Sequence, residues 1–159
     1  MSDCWPGVAP EHAEQLAAYR DLILEWNRKF NLTALRDAES INGRLIGESL
    51  RLAPFLPSGP NLRVVDIGSG SGIPGIPLAI IRPDIEFTLI EATGKKVRFQ
   101  ELVVDELGLT NVISIHERAE IMAHDPAFRE RFDIVVARAV TQLAALAEIV
   151  LPFLKTGGK

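Results

Sequence analysis

The stretch Asp66-Ile67-Gly68-Ser69-Gly70-Ser71-Gly72-Ile73-Pro74-Gly75 decides the fold. It follows a short apolar run rich in β-branched residues, 62–67, and leads into an apolar segment, 75–82, that reads as a short helix. Glycines at 68, 70, 72 and 75 let the backbone turn sharply and come close to a ligand where a Cβ would clash. A turn at the carboxyl end of a strand is also where open α/β sheets bind ligands. Further strands read at 85–90, 112–115 and 132–137, and further helices at 95–107 and 142–154. Strand and helix alternate, which implies a parallel α/β sheet with right-handed crossovers in the order 3-2-1-4. The strands are nearly continuously apolar, as strands covered on both faces are. Residues 61–159 form this core.

Residues 1–60 read as a helical extension. Leu16, Tyr19, Ile23, Trp26 and Phe30 recur in steps of three and four, so they share one face, as core rather than as a stacking platform for bases. A second helical stretch starts at Asp37 or Ser40, with Ile41, Leu45, Ile46, Ser49 and Leu52 on one side. Pro54, Pro57, Ser58, Gly59 and Pro60 make the linker. In the 95–107 helix Val97, Phe99, Leu102 and Val103 face inward, and Gly108 ends it.

Two ligand classes compete for the glycine turn. Gly70, Gly72 and Gly75 fit the G-x-G-x-x-G of nicotinamide- and flavin-binding domains, with a pyrophosphate on the next helix N-terminus. Glu91, at the end of the second strand, can accept hydrogen bonds from a ribose diol in either class. Asp66 separates them: a carboxylate at the strand exit repels a pyrophosphate and suits a cationic ligand. The D-x-G-x-G-x-G pattern with a later acid resembles that of Rossmann-like class I S-adenosylmethionine-dependent methyltransferases. Their cofactor carries an ammonium and a sulfonium.

Composition narrows the field. The chain has 159 residues, 47% apolar and 24% charged, with a formal net charge of −4. That is the size and make-up of one globular domain, and it excludes disordered and fibrous classes. A single cysteine, Cys4, excludes a disulfide framework and cysteine-rich metal centres. His12, His116 and His124 are scattered without metal-ligand spacing, so no metal is expected. The apolar stretch 143–154 is broken by Glu148 and Pro152 and is too short to span a bilayer. No export signal opens the sequence, which points to the cytoplasm. The mild acidity excludes a protein that coats nucleic acid, and leaves room for a local basic patch.

Several stretches together are specific. They are Asp66 to Leu78 with its Pro74-Gly75-Ile76-Pro77 tail, Trp26-Asn27-Arg28-Lys29-Phe30-Asn31-Leu32-Thr33, Arg44 with Glu48-Ser49-Leu50, Gly94-Lys95-Lys96-Val97-Arg98-Phe99, Arg118-Ala119-Glu120 and Arg138-Ala139. In order and spacing the sequence resembles the bacterial small-subunit ribosomal RNA (guanine-N7) methyltransferases, the RsmG or GidB (glucose-inhibited division protein B) family. The resemblance implies methyl transfer from S-adenosylmethionine to N7 of a guanine in 16S ribosomal RNA or the small ribosomal subunit. It implies that Gly68 and Ile73 line the cofactor pocket beside Asp66 and Gly70, and that Glu91 holds the ribose. Ala119 and Glu120 then lie beside the adenine, and Arg138 contacts the cofactor. N7 carries a lone pair and no proton, so the reaction needs no general base, and Arg138 is the one candidate for a catalytic role. The sequence departs from the family pattern at Leu45, where His is common, at Glu48, where Asp is common, and at Ser71.

RNA contact needs cations. Arg28, Lys29, Arg36, Arg44 and Arg51 cluster in the extension, and Lys95, Lys96 and Arg98 open the helix after Glu91. Arg28, Lys29, Arg44, Lys95 and Lys96 are the candidates for a basic rim, against the plainer reading of solvated helix faces. Two alternatives to the whole reading stand beside it: a nucleotide-binding module without this chemistry, and a methyltransferase on another substrate. Finally, Leu154-Lys155-Thr156-Gly157-Gly158 resembles the turn before a fifth strand. Four strands alone leave the last with an open apolar edge. The expectation is a C-terminally shortened chain whose full-length form is monomeric, or an edge paired with a second copy.

Overall fold

The apolar runs on either side of the glycine turn become one parallel sheet. A computed structural model describes residues 4–138 and 142–159. Its strands are β1 (Arg63–Ile67), β2 (Glu86–Glu91), β3 (Val112–His116) and β4 (Ile134–Ala137), in the order β3-β2-β1-β4. All pairings are parallel, with Asp66 opposite Leu89 and Val136, and Glu91 opposite His116. The expected order is thus the observed one. Three strands start later than their apolar runs. Leu62 and Ile85 pack just before β1 and β2, and Phe132 forms an isolated parallel bridge with Leu154.

Alternation along β1 sorts the two faces. Val64 joins the apolar cluster under the helical extension, while Val65 and Ile67 join Ile90, Met122, Phe132 and Phe153 on the other face. α1 (Pro10–Asn27) seats Leu16, Tyr19 and Ile23, all fully buried, in the first cluster with Leu78, Leu89 and Phe99. The helical extension therefore shares one apolar cluster with the sheet.

Trp26 and Phe30 continue the stripe only half-buried, edge to face at 5.6 Å, because the chain leaves the helix there. Asn27 takes the buried place. Its Nδ2 donates to the Leu35 carbonyl at 2.8 Å, and its Oδ1 accepts from the Leu32 N–H at 2.9 Å.

The second helical stretch begins with α2 (Ala38–Ser40), capped by Asp37, whose carboxylate accepts the Ser40 N–H at 2.8 Å. It ends with α3 (Glu48–Leu50), and between them Ile41–Gly47 is a π-helix. A Cβ on Gly47 would stand 3.0 Å from the Asn42 carbonyl oxygen, so glycine fits the wide turn. Leu52, expected inward, is exposed, because the helix ends two residues earlier.

After the glycine turn come α4 (Gly75–Ile81) and α5 (Gly94–Leu107), which ends at Gly108 with φ +62° as the sequence predicts. Val97, Phe99 and Val103 are buried and Leu102 half-buried. α6 (Ala119–Met122) and α7 (Leu143–Val150) follow β3 and β4. No helix among the described residues is long and apolar enough to cross a membrane.

The edge of β4 differs from expectation. Residues 153–159 run along it. Phe132 N–H donates to Phe153 at 3.0 Å, Lys155 N–H to Phe132 at 2.9 Å and Val135 N–H to Lys159 at 2.9 Å. The start of the edge is therefore hydrogen-bonded. Beside it, Leu52, Phe55 and Val136 line an apolar groove.

Candidate functional site

The turn after β1 is fastened on both sides. Gly68 N–H donates to the Ile90 carbonyl at 2.9 Å, and Gly70 N–H to Glu91 Oε2 at 2.9 Å. Glu91 Oε1 accepts the Thr93 N–H at 3.3 Å, so one carboxylate joins the turn to the loop that opens α5. Two glycines are dictated by space. A Cβ on Gly72, where φ is +101°, would lie 2.3 Å from Ile76 Cδ1. A Cβ on Gly75 would lie 2.4 Å from Leu89 Cδ2 and 2.8 Å from Asp66 Oδ2.

Above the turn opens a cleft of about 180 Å³. Gly68, Glu91 and Ala92 form one wall, Glu117, Arg118, Ala119 and Glu120 the other, with Ile67, Ile90 and Ile149 between them. Of the predicted cofactor residues, Gly68, Glu91, Ala119 and Glu120 therefore meet at one place, and Gly70 is bonded to Glu91 beside it. Arg118 and Glu120 approach to 3.9 Å but are solvent-exposed, so that ion pair contributes little. His116 Nε2 lies 2.9 Å from the Ala92 carbonyl and steadies the same wall.

The remaining three do not line the cleft. Ile73 is buried in the cluster under the helical extension. Arg138, at the exit of β4, pairs with Glu48 of α3 at 2.9 Å. Its neighbour in the motif, Ala139, lies outside the described residues. Asp66 is fully buried under the turn, where Oδ2 accepts the Gly75 N–H at 2.8 Å and Oδ1 has no partner among the described residues. This corrects the picture of Asp66 facing a cationic ligand directly. Alternation along β1 turns it, like Val64, toward the face that packs on α4, and the turn closes over it.

Burial pushes the Asp66 carboxyl well above its ordinary value of 3.8; the Gly75 N–H pulls it down and the charge of Glu91 adds to the rise. Where the unfolded chain has ionised this group, the native state still holds its proton. The favourable contribution is complete below the ordinary value and is lost as pH climbs through the raised one. Asp66→Asn is therefore expected to gain stability relative to wild type as pH rises from acid to neutral, measured by urea unfolding. A difference that is the same at every pH contradicts the assignment.

Sequence reasoning missed two residues at this site. Tyr19 donates its hydroxyl to the Ser71 carbonyl at 2.8 Å, and Gln100 Nε2 donates to Ser69 Oγ at 2.8 Å and to the Gly70 carbonyl at 2.7 Å. Tyr19 reads as one more member of an apolar stripe. Gln100 carried a signal, an amide between Phe99 and Val103 on the buried side of α5. Of the basic candidates, Lys29 stands 5.0 Å from the Trp26 ring and Lys95 6.0 Å from the Phe30 ring, which brings both to the α1–α5 seam. Arg28 and Arg44 are exposed, on the end of α1 and on the π-helix, and Lys96 is half-buried.

A 3-2-1-4 parallel sheet with a glycine turn after β1 and an acid closing β2 is a Rossmann-like arrangement, and the solved structures that share this chain's fold are class I methyltransferases. One is the S-adenosylmethionine-dependent methyltransferase of Geobacter sulfurreducens in complex with S-adenosyl-L-homocysteine, at TM-score 0.56 and 24% identity over 70% of this chain and 45% of that one. Another is the S-adenosylmethionine-dependent methyltransferase of Thiobacillus denitrificans, also with S-adenosyl-L-homocysteine, at TM-score 0.55 and 22% identity over 70% and 45%.

Residues 12–159 match the family model "rRNA small subunit methyltransferase G", GidB, and the chain belongs to that family. It is 40% identical over 93% of its length to the ribosomal RNA small subunit methyltransferase G of Acetivibrio thermocellus, and 41% identical over 96% to that of Streptococcus pyogenes serotype M4. It spans 61% and 65% of the length of those two relatives.

Proposed function

We propose that the chain carries the cofactor-binding part of a methyltransferase that moves a methyl group from S-adenosylmethionine to N7 of a guanine in 16S ribosomal RNA. The observation that carries the reading is the convergence of Gly68, Glu91, Ala119 and Glu120 on one cleft beside the glycine turn. Each Glu91 oxygen keeps lone-pair capacity beyond its single backbone bond, which suits a ribose diol. The backbone N–H groups of Ala119 and Glu120 suit the edge of an adenine. Asp66 disfavours the dinucleotide alternative, because its carboxyl already takes the Gly75 N–H that opens α4, where a pyrophosphate would need donors.

The bound cofactor supplies an electrophilic methyl group. The chain holds it in place, and rate comes from alignment with the N7 lone pair rather than from proton transfer. Arg138, held by Glu48, stands at the β4 exit on the far side of the turn, where the methionine end of the cofactor and the guanine are to meet. Lys29 and Lys95, at the α1–α5 seam, serve as phosphate contacts, and the substrate puts the work in the cytoplasm.

The test is an assay with labelled S-adenosylmethionine and unmethylated small ribosomal subunits or their RNA, read by mass spectrometry of the nucleosides. N7-methylguanosine formed by the protein supports the reading. Transfer to another base, or to protein, refutes it.

A further inference from the structure

Three side chains from three elements hold the glycine turn from beneath: Asp66 of β1, Gln100 of α5 and Tyr19 of α1. Tyr19 stands apart, because it belongs to the helical extension and reaches across 52 positions of sequence. Its partner, the Ser71 carbonyl, lies between Gly70 at φ +59° and Gly72 at φ +101°. A peptide unit beside such glycines rotates easily, since no Cβ resists it. Here it is pinned at both ends. The Ser71 carbonyl accepts from the Tyr19 hydroxyl at 2.8 Å, and the Gly72 N–H donates to the Ser69 carbonyl at 2.8 Å.

We propose that Tyr19 is a positioning residue for cofactor binding: its hydroxyl fixes the Ser71–Gly72 peptide and so sets the backbone from which Gly68 lines the cleft and Gly70 holds Glu91. The proposal rests on the reading of the cleft as an S-adenosylmethionine site. Tyr19 is completely buried. Without its hydroxyl, the Ser71 carbonyl is left without that donor in a water-poor place, which favours rotation of the peptide toward another partner. Rotation pulls the Gly72 N–H from Ser69 and displaces Gly70, whose N–H meets Glu91. Burial also drives the phenol far above its usual range, so it remains a donor throughout the working pH range. The helical extension thereby becomes part of the cofactor site without touching the cofactor.

Tyr19→Phe removes one oxygen and keeps the ring. Calorimetry with S-adenosylhomocysteine is expected to show a Kd about tenfold weaker than wild type, the size of effect that one lost buried hydrogen bond carries into binding. Ile23→Val, one turn along the same helix and equally buried, controls for general loosening. It lowers the melting temperature and leaves Kd unchanged. Wild-type affinity in Tyr19→Phe, or an equal loss in Ile23→Val, overturns the proposal. A wild-type chain that binds no S-adenosylhomocysteine overturns the reading of the site as well.

A second measurement keeps the fold intact. The sequence holds a single tyrosine, so biosynthetic 3-fluorotyrosine labels this position alone. Its fluorine resonance is expected to shift as S-adenosylhomocysteine is added, and a resonance that stays fixed through saturation contradicts the coupling.

Discussion

Gly75→Ala is expected to abolish measurable cofactor binding and to cost the fold about 2–3 kcal/mol, the upper part of the usual range for overpacking a core. The added methyl would stand 2.4 Å from Leu89 Cδ2 and 2.8 Å from Asp66 Oδ2. Neither can step aside cheaply. Leu89 is fully buried in β2, and Asp66 is fully buried with its Oδ2 bonded to the N–H of Gly75 itself. Relief therefore comes from moving the start of α4 away from the sheet, which drags the glycine turn with it. Urea unfolding reads the stability and calorimetry reads the binding. A variant as stable as wild type, with unaltered affinity, contradicts this account of the turn.

Glu91→Ala is expected to weaken cofactor binding at least a hundredfold, about 3 kcal/mol, by removing two effects at once. One is the proposed contact with the ribose diol. The other is the brace between the Gly70 and Thr93 N–H groups, at 2.9 and 3.3 Å. Glu91→Gln separates them. Its amide oxygen can serve one N–H, but its NH2 then faces the other donor, so the loss falls between wild type and alanine. Circular dichroism establishes that each variant is folded, and titration gives the ranking. Equal affinities for all three proteins remove Glu91 from the site.

The ligand-bearing skeleton was legible because it depends on local rules. Apolar runs gave the four strands, the change of period gave the helices, and Gly108 marked the end of α5 through its left-handed conformation. Gly68 and Glu91 could be placed together because strand exits in a parallel sheet lie along one edge, whereas Ala119 and Glu120 were placed beside them by the family resemblance. What escaped depends on which way a side chain points once layers are packed. Asp66 has the right position in the sequence and faces the packed side. Ile73, one residue past the last left-handed glycine of the turn, falls into the core. Arg138 does have a partner, Glu48, but that partner lies 90 positions away, beyond any local pattern. Tyr19 could not be told from its apolar neighbours, since a single hydroxyl leaves a helical stripe unchanged. The turn at Gly157-Gly158 was legible, but not that it lays residues 153–159 along the β4 edge, which depends on long-range packing.

The central claim is that the glycine turn and Glu91 form an S-adenosylmethionine site rather than a dinucleotide site. Calorimetric titration of the unmodified chain with S-adenosylhomocysteine and, separately, with NAD tests it most directly. The account predicts saturable binding of S-adenosylhomocysteine at one site per chain and no heat of binding with NAD. Saturable binding of NAD with none for S-adenosylhomocysteine would contradict it.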